Sequence, residues 1–157
     1  MLDLRGLGLA PGSLVLLDSG PIVYLVEGNP GPRPAVAASF LEAADSGALR
    51  LAVSAIAWSE LLAGPLSAGD EALAARYRRL LADSRRILVV PVDVAVAEEA
   101  ARLGAGGGRK PLGLADRIHV ATAIVIGAEA VLTNDEAWAS EPACPRVLLV
   151  DELAFDA

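Results

Sequence analysis

The chain contains one cysteine and one histidine in 157 residues, and only 4% of it is aromatic. With Cys144 alone, no disulfide can form within the chain, which fits a reducing cytoplasm. A cysteine-rich zinc site is excluded for the same reason. With His119 alone, a Ser-His-Asp or Cys-His triad has one candidate base and no spare. Long apolar runs are also missing: charges or Pro-Gly pairs break each one before the roughly 18 residues that a membrane span needs. The nearest imitation of a secretory segment is Leu7 to Leu17. It contains Pro11-Gly12, lacks a small-x-small cleavage site and runs straight into Asp18. Residues 1–13 are therefore expected to form a short N-terminal leader to one domain covering 14–157. Positive charge is scarce as well. Thirteen Lys and Arg stand against twenty Asp and Glu, a net charge of −7, which argues against broad electrostatic capture of nucleic acid. A local basic patch, or a divalent metal offsetting the acidity, stays open. No repeat of 20–50 residues is visible.

What the chain does have is aliphatic mass. It is 54% hydrophobic, enough for one domain with a core of Ala, Val, Leu and Ile. Short apolar runs at 14–17, 51–53, 87–90, 130–133 and 147–150 read as five strands. Helical patterns fall between them at 22–26, 35–44, 55–63, 70–83, 94–103 and 114–126, the third ended by Gly64-Pro65. Strands alternating with helices predict an α/β fold, a parallel sheet covered on both faces.

Four acids fall in notable places. Asp18 directly follows the first strand and Asp135 lies two residues past the fourth. In open parallel sheets, ligand sites gather at the carboxyl ends of strands. Asp116 stands in the first turn of the helix at 114–126. Glu60 sits in the otherwise apolar helix after the second strand, where a charge is costly unless compensated. Each aspartate alone also suits an ordinary role: Asp18 and Asp116 at helix starts, Asp135 in a turn. Together, four acids with no evident cationic partner suggest a hard cation, Mg²⁺ or Mn²⁺, and metal-assisted phosphodiester hydrolysis.

Other candidates are weaker. His119, three residues after Asp116, can reach the same place, but a structural or surface role is the expectation. Arg76, Arg78, Arg79, Arg85 and Arg86 around Tyr77 read as a solvated helix face. Arg109 and Lys110, in a glycine-rich loop, are placed for phosphate contact. Trp58 and Trp138 read as packing residues.

With these residues in view, positions 14–151 resemble a PIN domain, most closely the VapC-type toxins of bacterial toxin–antitoxin pairs. The matching pieces are LLDSGPIVYLVEG at 16–28, VSAIAWSELLAG at 53–64, LADRIHVATAIVIGAEAVLTND at 114–135 and VLLVDEL at 147–153. The resemblance implies a three-layer α/β/α sandwich with a central, mainly parallel five-stranded sheet. It implies a Mg²⁺- or Mn²⁺-dependent endoribonuclease whose four acids are Asp18, Glu60, Asp116 and Asp135. Ser19, Thr133 and Asn134 fall on the family's supporting polar positions. An RNA substrate, a cognate antitoxin, a homodimer and no membrane association are further implications. Two departures stand out: the dozen or so residues before the first strand, and Gly20 where the family more often has Ser, Asn or Ala.

Two rivals belong to other classes. A PIN fold can serve as a non-catalytic interaction module, which would show no acid-dependent Mn²⁺ binding. A phosphatase using Asp18 as nucleophile needs a second acid two residues on, and Gly20 stands there.

Overall fold

Each of the five apolar runs becomes a strand of one parallel sheet in the computed structural model, which describes residues 2–82, 85–105 and 112–155. The strands are β1 (Ser13–Leu17), β2 (Leu49–Ser54), β3 (Ile87–Val90), β4 (Ala130–Thr133) and β5 (Arg146–Leu149). Helices α1 (Ser19–Glu27) and α2 (Arg33–Asp45) join β1 to β2, and α3 (Ile56–Ala68) and α4 (Glu71–Ala82) lie between β2 and β3. Between β3 and β4 come α5 (Val94–Gly104) and α6 (Leu114–Val125). A 3₁₀ helix, Glu136–Ser140, precedes β5, and α7 (Val150–Phe155) follows it.

The strand order is β3-β2-β1-β4-β5, and every neighbouring pair is parallel. From β1 the chain moves outward to β2 and β3, then crosses back over β1 to β4 and β5. The reversal falls between β1 and β4, so a crevice is expected at the carboxyl ends of those two strands. All five residues of β1 are buried, as a strand covered on both faces must be. Val15 and Leu17 join a core with Ile22, Phe40, Leu61 and Tyr77 from α1 to α4. Leu16, pointing the opposite way, joins Val96, Ala100, Val120 and Trp138 from α5, α6 and the 3₁₀ helix. The result is the three-layer α/β/α sandwich, with an entirely parallel sheet.

Leu16 has no solvent exposure. Leu16→Ala should therefore cost about 2–5 kcal/mol of unfolding free energy in a urea titration. A loss below about 1 kcal/mol would mean that the second core does not close on β1.

Several boundaries differ from the sequence reading by one to five residues, and three have a clear physical reason. Helix α3 does not stop at Gly64-Pro65 but runs on to Ala68 with Pro65 buried inside it. The proline forfeits one intrahelical bond, and the helix ends instead at Gly69, whose φ of 68° provides a left-handed cap. Val150, expected to close the fifth strand, begins α7 instead. Helix α1 starts three residues early, at Ser19, with Pro21 in its first turn. Residues 2–12 form no strand or helix, yet Leu9 is buried and Leu2, Leu4 and Leu7 pack on the larger core. No helix among the described residues is long and apolar enough to cross a membrane.

Candidate active site

Asp18 is the hinge between β1 and α1. Its backbone is extended and its N–H donates to the Leu132 carbonyl of β4 at 2.9 Å, tying the two central strand ends together. One carboxylate oxygen, Oδ1, accepts from the Ser19 backbone N–H at 2.7 Å and caps α1. The other, Oδ2, accepts from the Thr133 hydroxyl at 2.7 Å. That same hydroxyl oxygen accepts the Asp135 backbone N–H at 3.0 Å. Thr133 is fully buried, so its hydroxyl needs both bonds and in making them sets Asp18 and Asp135 side by side. Asp135 in turn caps the 3₁₀ helix, its Oδ1 accepting from Ala137 N–H at 2.9 Å. The cap and turn roles are thus real, and they are what orient these two acids.

Asp116 approaches from α6, in the first helical turn after Gly113. Its carboxyl is pushed above the ordinary value, first by burial, then by the negative charge of Asp135 and further by that of Asp18. The Trp138 indole opposes the shift, although its Nε1 makes no well-formed hydrogen bond. No arginine or lysine among the described residues pairs with Asp18, Asp116 or Asp135. The ends of β1 and β4 and the start of α6 each bring one aspartate to this edge of the sheet, near enough for Asp116 to feel the charge of the other two.

Glu60 stands one step aside. It lies on the rim of α3, its side chain 36% exposed, rather than on an apolar face. Its Oε2 accepts from the Ser19 hydroxyl at 2.6 Å and from His119 Nε2 at 2.6 Å. The His119 bond, more than the Ser19 bond, holds its carboxyl below the ordinary range, against the opposing effect of burial. The expectation that Glu60 lacks a compensating partner is therefore corrected. Of the structural or surface role expected for His119, the surface half is corrected and the structural half holds: the residue has no exposure and packs its ring 5.7 Å from that of Trp138. The signal was in the sequence: three residues on from Asp116, His119 shares its helix face.

The remaining expected residues divide. Ser19 and Thr133 touch the acids as described. Asn134 faces away: its amide donates to Asp151 Oδ2 at 3.0 Å, and its carbonyl accepts the Asp151 backbone N–H at 3.1 Å. Asp151 also receives Arg33 through two bonds of 2.6 and 2.8 Å. Asn134 thus ties α7 and α2 to the end of β4. Arg109 and Lys110 lie outside the described residues. In the basic stretch, Tyr77 is buried and its hydroxyl donates to Glu27, Arg76 donates to the Val26 carbonyl, Arg78 pairs with Glu71 and Arg86 with Asp45. The stretch is a solvated face as expected, with Arg76, Arg79 and Arg85 exposed, while Tyr77 is buried beneath it. Trp138 is a core residue, and Trp58 packs at the core's edge.

The donor set fits a hard cation. The three aspartates offer only carboxylate oxygens, and Asp116 feels the like charge of both others. Among the described residues, no three His, Cys, Asp or Glu side chains already stand in a ligating cluster.

Comparison with known proteins agrees with this architecture. The family model described as "PIN domain" matches residues 15–141. No curated protein matches the sequence. Among solved structures, the chain is similar to VapBC from Salmonella typhimurium, solved bound to DNA, with a TM-score of 0.70 at 21% identity over 88% of this chain and 98% of that one. It is similar to VapBC2 from Rickettsia felis, solved with a promoter DNA fragment, with a TM-score of 0.69 at 18% identity over 87% and 98%. A toxin–antitoxin complex from Klebsiella pneumoniae gives a TM-score of 0.63 at 23% identity over 87% and 97%. At these identities the likeness is one of fold.

Proposed function

This chain belongs to the PIN-domain family, and on that premise we propose that it is a divalent-metal-dependent endoribonuclease, the toxin of a toxin–antitoxin pair. The observation that carries the reading is the convergence of Asp18, Asp116 and Asp135 at the switch point of the sheet, with like charges pressing on Asp116. These three would hold Mg²⁺ or Mn²⁺. When bound, such an ion neutralises a phosphoryl oxygen and activates water for in-line attack.

The chain's own residues do the rest. Thr133 holds Asp18 in place and spaces it from Asp135. Glu60 would accept a hydrogen bond from the attacking water through Oε1, since Oε2 is already engaged by Ser19 and His119. Arg109 and Lys110, in the loop leading to Asp116, would contact the substrate phosphate. A cognate antitoxin is the proposed partner, because the fold's solved neighbours include toxin–antitoxin complexes. A homodimer and a cytoplasmic location complete the proposal.

Purified protein should cleave RNA in Mg²⁺ or Mn²⁺, stop in excess chelator and resume when the metal is restored. Cleavage that persists undiminished in chelator would overturn the metal-dependent reading.

A further inference from the structure

We propose that His119 is a positioning residue that locks Glu60 into one orientation. This rests on the nuclease reading for its catalytic consequence, but its geometry stands alone. His119 has no exposed surface, so its ring cannot meet a substrate. Its Nε2 lies 2.6 Å from Glu60 Oε2 and 3.9 Å from Asp18 Oδ1. An ionised carboxylate has no hydrogen to give, so Nε2 carries the proton and donates it. On the far side of the ring, Nδ1 is buried and has no hydrogen-bond partner. A proton placed there would be a buried donor without an acceptor.

The lock has a second arm. Ser19 Oγ–H donates to the same Glu60 oxygen at 2.6 Å. Two donors on one carboxylate oxygen fix both the rotamer and the plane of the group. Glu60 is a long side chain on the rim of α3, with rotamers to lose, and its hydrogen bonds among the described residues come from outside that helix. The two donors come from the neighbours of the converging aspartates: Ser19 follows Asp18, and His119 lies one helical turn beyond Asp116. Glu60 is therefore registered to the aspartate cluster by the very elements that carry that cluster. One oxygen, Oε1, remains without a protein partner among the described residues.

The chain has a single histidine, so ¹⁵N-histidine labelling of the metal-free protein reports one imidazole. A slowly exchanging Nε2–H with an unprotonated Nδ1 is expected. Glu60→Ala should shift or erase that proton signal. An Nδ1–H tautomer, or an Nε2–H indifferent to Glu60→Ala, overturns the proposal. In the kinetics, His119→Leu should lower kcat about 30-fold while KM and the Mn²⁺ half-saturation stay within about threefold. His119→Gln, which returns an N–H donor at similar reach, should recover to within about fivefold of wild type. In a Glu60→Ala background, His119→Leu should cost less than about threefold. A glutamine variant that folds but is as impaired as leucine, or a full additive loss in the Glu60→Ala background, sinks the lock. If wild type itself cleaves no RNA, the nuclease reading fails, while the labelled imidazole still decides the His119–Glu60 bond. Should the leucine variant not fold, the glutamine variant and the spectra carry the test.

Discussion

Asp116→Asn should abolish RNA cleavage and, at neutral pH, make the protein more stable. The activity loss is expected to reach about 100-fold or more, the scale of removing one preorganised charge from a reaction centre. The stability gain follows from the sign of the carboxyl's shift. Asp116 is raised above its ordinary value of 3.8 by burial and by Asp135 and Asp18. A carboxyl raised on folding binds its proton more tightly in the folded chain. Its contribution is fully present below the unfolded value and is lost as pH rises through the folded value. At pH 7 the wild type therefore carries the cost of three close negative charges, and the neutral asparagine relieves it. Because the group is partly exposed, screening limits the gain to roughly 1 kcal/mol or less, about 2–4 °C in Tm for a chain of this size. The gain should shrink as pH falls toward 4 and as salt rises. Thermal melts of both proteins across that range check it. An Asp116→Asn protein that cleaves at the wild-type rate would sink the assignment of Asp116 to the reaction centre.

Asp18 should behave differently, because its two oxygens also hold the fold. Asparagine is as good a helix N-cap as aspartate, and with its oxygen on the Ser19 N–H its amide N–H can donate to the Thr133 hydroxyl oxygen in place of accepting from it. Asp18→Asn should therefore lose cleavage by about 100-fold or more with little change in stability. Asp18→Ala removes the α1 cap and leaves the buried Thr133 hydroxyl without its acceptor. It should be equally inactive and also less stable by about 1–3 kcal/mol. Parallel urea titrations and RNA cleavage assays separate the two losses. If the asparagine variant unfolds as readily as the alanine variant, the charge of Asp18 is structural rather than functional.

The contrast shows what was legible in the sequence and what was not. The strands were readable because a parallel strand buried on both faces must be almost wholly apolar, as β1 is after Ser13 and β4 before Thr133. The aspartates were readable because each lies within two residues of a strand's end or opens a helix, so topology alone sends them to one edge. The course of α3 was not: Gly64-Pro65 is a strong local stop, but the buried Pro65 continues the helix and the left-handed Gly69 ends it. Helix α7 is six residues long, too short to show a period. Asn134 was read by its place in a motif, whereas its partners Asp151 and Arg33 are set by tertiary packing. Glu60 was read as an uncompensated charge because its partner, His119, lies 59 positions away. Pairings across elements leave no periodic trace on either one.

The bond between Thr133 and Asp18 spans 115 positions, and this dictates when in the chain's own synthesis the aspartate cluster can assemble. A chain emerging from the ribosome presents β1, β2 and β3 long before β4. Until residue 133 has been made, Asp18 has neither Thr133 to hold it nor Asp135 beside it, and one edge of the central strand is bare. Long-range parallel pairing is also the slow part of folding. If this cluster is the nuclease centre proposed above, it is completed only when nearly all of the chain is out.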